Sequence, residues 1–336
     1  MVATKLATVH EIRRALRADG PAARRFFHHT EQMLNANPSF FLDVTPSSSS
    51  SSLVARLDIV AKAAPELAAT AAAKAIAMWG LPATDITDLI VATSSEDRSP
   101  GTDLSLATLL GLRADVLRTS LQLAGCSGGC AALRLAKDLA ENNRGARVLV
   151  ACVELTLTSF RGPGDDDTFE TLIPQALFGV VIAADPELPA GERAVFEMVA
   201  ASQTTIPGTE RMLNMRLGEG GIKGDVSPAL PSFAAEHLER CPPLAGVAGV
   251  EKGKRKWNEM FWVVHPGSRG ILDHIDVALG LEAEKLAASR AVVREYGNMM
   301  SATVIFVLDE EEEGDEAETE WGVMVVQDSL LLSSKQ

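Results

Sequence analysis

Apolar positions along the chain switch between two spacings, and the switch recurs in both halves. PELAATAAAKAIAMWG (65–80) is alanine-rich with helical spacing, and Gly80 supplies a natural stop, which predicts a buried helix. ITDLIVATSS (86–95) is a short β-branched run and predicts a strand. Residues 130–143 form an amphipathic helix closed by Asn143-Arg144-Gly145, and ARVLVACVEL (146–155) follows as a strand. The second half repeats this order. AVFEMVAASQTTI (194–206) predicts a strand, MFWVVHPG (260–267) a buried strand running into a turn, and ILDHIDVALGL (271–281) a helix. SATVIFVLD (301–309) predicts another apolar strand. Strands alternating with helices indicate an α/β protein whose sheets are covered on both faces.

Polar stretches mark the breaks. Residues 8–18 predict a short amphipathic helix ending near Gly20-Pro21, and Ser47 to Ser52 predicts a flexible surface loop. The acidic run 309–320 reads as a solvated loop. Gly218-Glu219-Gly220-Gly221 lacks the glycine spacing of a dinucleotide-binding turn and follows no clear strand, so it predicts no nucleotide site.

Composition narrows the partners. The 336 residues make about two domain-sized units, and 46% hydrophobic content is ample for a large core. A net charge of −14 argues against nucleic acid and anionic membranes as partners. Cysteines 126, 130, 152 and 241 show no paired framework, which fits reduced thiols. The start of the chain lacks the apolar core of a signal peptide, and no run is long enough for a membrane span. A soluble, cytoplasmic protein is expected.

Three residues carry candidate chemistry. Cys126 sits among Gly125, Gly128 and Gly129 at the mouth of a helix, where the helix field and a nearby imidazole would favour a thiolate. Taken alone it could equally be a small buried hydrophobe. Cys126 and Cys130 have no second ligand pair of matching spacing, which leaves a metal or redox pair poorly supported. His265 ends an apolar strand before Pro-Gly, and Asn298 lies in a Tyr-Gly-Asn turn; each has an ordinary structural reading as well. Together they make a Cys–His–Asn set able to form a thioester and polarise its carbonyl.

Longer segments then become recognisable. GCSGGCAALRLAKDLAENNRGARVLVACVELT, FRGPGDDDTFETLIPQALFG, KWNEMFWVVHPGSRGILD and REYGNMMSATVIFVLDE occur in order between about residues 8 and 326. They resemble the plant type III polyketide synthases, the chalcone and stilbene synthase family, and LNMR (213–216) is most similar to grass, curcuminoid-synthase-like members. The resemblance implies a thiolase-like αβαβα layered fold with two similar halves, 1–187 carrying the cysteine and 188–336 carrying the histidine and asparagine. It implies a homodimer and a cytoplasmic acyltransferase of polyketide or flavonoid type. A CoA-linked starter, phenylpropanoid in class, would load on Cys126. His265 and Asn298 would hold the malonyl-CoA thioester carbonyl during decarboxylative extension, with no metal or other cofactor. It further implies substrate contacts at Phe178, Ser94, Ser95, Ser159, Met215, Gly224 and Met300.

The chain is shorter than the family pattern in three places. Residues present in relatives between Ala23 and Arg24 are missing, so the N-terminal half is truncated there. After QALFG the stretch usual in relatives is missing, so the chain runs directly on as FGVVIAAD, and WGVMVVQDSLLLSS leaves room only for a tight hairpin. These gaps raise an alternative, a silent homologue from a truncated gene acting at most as a dimer partner. A ketoacyl-carrier-protein synthase would share the Cys–His–Asn set but not FRGP or KWNEMFW.

Overall fold

The computed structural model describes residues 53–159, 176–183, 196–239, 257–313, 321–326 and 329–335. The expected helix at 8–18, the serine loop, the Ala23–Arg24 junction and the acidic residues 314–320 lie outside them. Helix α1 spans Leu53–Trp79, twelve residues longer at its start than expected. Leu57, Val60, Ala64, Ala68 and Ala72 form one continuous buried stripe. That stripe carries the helix through Pro65, which read as a boundary. Gly80, at φ +86°, closes α1 by donating its N–H to Ile76 O at 3.0 Å.

Two four-stranded sheets follow. In the first, β1 (Asp88–Thr93) lies parallel to β2 (Leu117–Gln122) and β3 (Arg147–Glu154), and β4 (Ala176–Ala183) runs antiparallel beside β3. Helix α2 (Thr102–Leu109) links β1 to β2, and α3 (Gly128–Asn142) links β2 to β3. The second sheet has the order β5-β10-β9-β8, made of β5 (Phe196–Gln203), β8 (Phe261–Val264), β9 (Trp321–Val326) and β10 (Ser329–Lys335). Strands β9 and β10 form the expected tight hairpin, with Val326 opposite Ser329. Among the described residues a separate hairpin, β6 (Leu213–Gly218) and β7 (Gly221–Val226), pairs only with itself. It was not foreseen, and it turns at Glu219-Gly220, where the sequence suggested no strand. Helices α4 (Leu230–Glu239), α5 (Arg269–Leu279), α6 (Ala287–Glu295) and α7 (Thr303–Glu313) complete the described elements.

Alternation along the strands builds the layers. Val148, Val150 and Cys152 of β3 face a central core, while Leu149, Ala151 and Val153 face the outer core beneath α1 and α2. Likewise, Phe261 and Val263 of β8 face the central core, and Trp262 and Val264 face an outer core with α4 and α5. The central core holds α3 and α7 between the two sheets. The result is the thiolase-like αβαβα arrangement.

Residues 301–309 are not the strand expected. Thr303–Glu313 is helix α7, entered through a 3-10 turn at Met300–Ala302. Val304, Ile305 and Val307 are buried, and Phe306 and Leu308 pack partly buried against the same core. A helix sandwiched between two sheets is apolar nearly all round, so its sequence has no polar face to reveal the 3.6-residue period. Asp309 and Glu310 belong to its exposed end rather than to a loop.

Candidate functional site

The chemistry gathers beyond the C-terminal ends of parallel strands. After β2, Leu123 donates its N–H to Thr93 O at 3.1 Å, and Gly125 donates to Ser94 Oγ at 3.1 Å. Gly125 adopts φ +57°, a conformation that favours glycine, and this bends the chain into the turn Gly125–Ser127 that holds Cys126. Helix α3 begins two residues later. A Cβ at Gly129 would overlap the Ser301 carbonyl oxygen, and one at Gly128 would lie 2.9 Å from Ser301 Cβ. These glycines let α3 press against the 298–302 segment, which brings the second half onto the cysteine.

Asn298 meets the sulfur there. Its Nδ2 donates to Cys126 Sγ at 3.6 Å and to Gly267 O at 3.4 Å. Its Oδ1 accepts from Met300 N–H at 2.9 Å and from the Thr303 hydroxyl at 3.4 Å, which fixes which way the amide faces. His265 follows β8, and its backbone N–H donates to Val325 O at 2.9 Å. Val264 N–H donates to Ser289 Oγ at 3.2 Å, tying α6 to the same strand end. The imidazole is buried, with neither ring nitrogen hydrogen-bonded in the described structure. A methyl group at Gly267 would lie 3.6 Å from both Cδ2 and Nε2 of this ring. The Gly267 backbone thus lies between the His265 ring and Asn298, and Asn298 reaches the Cys126 sulfur.

A buried carboxyl that sequence reasoning missed lies alongside. Glu154, the last residue of β3, accepts from Ser94 N–H at 2.9 Å, from Ser301 Oγ at 2.5 Å, and from the Ser94 and Ser95 hydroxyls at 3.4 Å each. Ser95 Oγ in turn accepts from Leu155 N–H at 2.7 Å. Burial pushes Glu154 from 4.5 up to about 7 against these hydrogen bonds. The sequence did carry a signal: one carboxylate ends an otherwise apolar strand, VLVACVEL.

Electrostatics overturn the expected resting thiolate. Burial pushes the Cys126 thiol from 9.0 up to about 11; the Asn298 amide opposes this, and the negative charge of Glu154 adds to it. His265 is not among the groups acting on the sulfur. Burial lowers its own value from 6.5 to about 4, so at neutral pH it is an uncharged imidazole. At neutral pH the thiol and the imidazole are therefore both uncharged.

The remaining expected residues spread around this centre. Ser94 and Ser95 are buried at the end of β1. Met215, on β6, places Cε 3.5 Å from where a Cβ of Gly125 would lie. Gly224 sits opposite Met215 on β7. Met300 is buried at φ +52°, unusual for a residue with a side chain. Ser159 is half-buried after the turn Thr156–Thr158. Phe178 occupies β4 opposite Cys152 in the ladder.

Comparison with known proteins agrees with this architecture. Residues 4–186 match the chalcone and stilbene synthases' N-terminal domain, and residues 197–328 match their C-terminal domain. Bisdemethoxycurcumin synthase of Oryza sativa subsp. japonica is 53% identical over 298 residues, covering 85% of this chain and 71% of that protein. Two domain matches across nearly the whole chain, on a layered fold that joins cysteine, histidine and asparagine, make this protein a member of the chalcone and stilbene synthase family, the type III polyketide synthases.

Proposed function

We propose that the chain loads a phenylpropanoid-type acyl group on Cys126 and extends it with malonyl-CoA. The observation that carries this reading is the Asn298 amide, which donates to the Cys126 sulfur and to the carbonyl of Gly267, the glycine against which the uncharged His265 ring packs. In loading, the thiol sulfur attacks the acyl-CoA carbonyl, and its proton passes by way of the neutral imidazole to the departing CoA sulfur. In extension, malonyl-CoA loses CO2, and the electron pair of the broken C–C bond moves onto the thioester oxygen. That enolate oxygen is held by His265 and Asn298 N–H groups. The carbanion attacks the Cys126 thioester and expels the sulfur, which regains a proton. Electrons balance within the substrates, so this sequence draws on no metal or redox group.

The relative's name supports a curcuminoid-type product. A homodimer is proposed as well. Among the described residues strand β2 is an open edge of its sheet and exposes Leu117, and edge strands of that kind are usually covered by pairing. Cys126 and Cys152 as thiols outside any disulfide support a reducing, cytoplasmic setting. Among the described residues no helix is long and apolar enough to cross a membrane. The test is to incubate purified protein with labelled malonyl-CoA and a coumaroyl-type CoA thioester. The expected result is release of CO2 and an extended product, both lost in Cys126→Ala. A folded protein that releases no CO2 would overturn the reading and favour the silent homologue.

A further inference from the structure

Arg56 stands far from the sulfur in sequence, yet it holds the wall of the site in place. Its guanidinium is buried in the first turn of α1. Nη1 donates to Leu157 O at 3.2 Å and to Thr158 O at 3.4 Å, in the turn that follows Glu154 and β3. Nη2 donates to Gly220 O at 2.7 Å, at the tip of the β6–β7 hairpin. One side chain thus bridges the first half to a hairpin of the second.

The hairpin needs such an anchor. Among the described residues its two strands pair only with each other, and Asn214, Arg216 and Leu217 are exposed. A lone two-stranded hairpin is marginal in water. At its tip, Gly221 takes φ +106° and fits so closely that a Cβ would overlap the Thr158 carbonyl oxygen and approach Arg56 Nη1 at 3.2 Å. Three residues from the end of β6, at about 3.3 Å per residue, Met215 reaches down to the Gly125 turn beside Cys126. Gly224 opposite it has no side chain to brace it.

We propose that Arg56 is a positioning residue that sets how far the hairpin stands above Cys126, and with it the size of acyl chain the site accepts. The proposal rests on Cys126 as the acyl site. A planar fork of donors can serve carbonyls in two directions at once, whereas a lysine ammonium is a point charge on a flexible stem. Arg56→Lys should therefore not substitute.

The test compares full-length wild type with Arg56→Gln, Arg56→Lys, Gly221→Ala and Met215→Gly. The readouts are kcat/KM over a graded series of acyl-CoA starters, amide hydrogen exchange across 213–226, thermal midpoint and Cys126 alkylation. In both Arg56 variants and in Gly221→Ala, exchange across 213–226 should accelerate about tenfold. The ratio of bulky to small starter kcat/KM should also rise about tenfold, the change that about 1.4 kcal/mol represents. Cys126 alkylation should persist. Met215→Gly should shift the ratio the same way, and adding Arg56→Gln to it should shift it no further. Folded Arg56 variants with wild-type starter ratio and exchange overturn the proposal, as does an additive effect with Met215→Gly. Failure of all the Arg56 and Gly221 variants to fold also overturns it, by making Arg56 a purely structural residue. If wild type turns over no acyl-CoA, the functional reading falls, while the exchange measurement still reports on the arginine.

Discussion

Replacing His265 by glutamine removes a ring whose titration opposes that of Glu154, and the pH dependence of stability should show it. Burial pushes the imidazole from 6.5 down to about 4. The folded state therefore keeps the ring neutral where the unfolded chain would take up a proton. Its contribution to stability is fully present above pH 6.5 and is lost as pH falls through 4. Glu154 runs the other way. Burial raises its carboxyl from 4.5 to about 7, so the folded state favours the acid form. That contribution is fully present below pH 4.5 and is lost as pH rises through 7. At about 1.4 kcal/mol per pH unit, each displacement is worth about 3 kcal/mol, and between pH 4.5 and 6.5 the two cancel.

The assay is urea unfolding at fixed protein concentration across pH 4–8, with each variant curve subtracted from wild type so that only the deleted group remains. Relative to wild type, His265→Gln should lose about 3 kcal/mol as pH rises from 4 to 6.5. Glu154→Gln should gain about the same as pH rises from 4.5 to 7. The double variant should parallel wild type between pH 4.5 and 6.5, where the two contributions cancel. If both single-variant difference curves are flat, the two groups are not held away from their ordinary values, and the account of the site's electrostatics would be refuted.

Two further outcomes follow from the same geometry. Cys126 alkylation by iodoacetamide should climb about tenfold per pH unit between pH 7 and 10, while buried Cys130 and Cys152 stay unmodified; peptide mass spectrometry reads both, and a plateau below pH 8 would restore the resting thiolate. Gly129→Ala should cost about 1–3 kcal/mol in denaturant unfolding and slow loading of Cys126, because the added methyl drives α3 off the Ser301 carbonyl; an unchanged midpoint would show that the contact is not tight.

What the sequence disclosed depended on how local each cause was. Helix α3, strand β3 and strand β8 were legible because run length, glycine stops and spacing act within one element. Cys126, His265 and Asn298 stood out as candidates by their turn and glycine settings, and the structure brings the Asn298 amide to the Cys126 sulfur. Helix α7 was not legible, because two sheets enclose it and erase the polar face that marks a helix. Arg56 was missed for a related reason. Its partners, Leu157, Thr158 and Gly220, are backbone carbonyls 101 to 164 positions away, and a carbonyl leaves no mark on residue identity.

The resting thiolate failed on magnitude rather than on pattern. The helix mouth is real, since α3 begins two residues after Cys126. Its field is worth typically about 0.3–1 kcal/mol at such a terminus. Against it stands burial of the sulfur, with a carboxyl nearby acting in the same sense. Together they move the thiol from 9.0 to about 11, which corresponds to about 3 kcal/mol in favour of the protonated form. Desolvation wins, and the charge of Glu154, which the local motif does not contain, adds to it. On the function proposed above, a neutral thiol and a neutral imidazole are a resting state that suits an uncharged thioester, since neither carries a charge that would have to be neutralised before His265 and Asn298 donate to the carbonyl oxygen. The negative charge then arises only where bonds are breaking, which is where preorganised donors lower a barrier most.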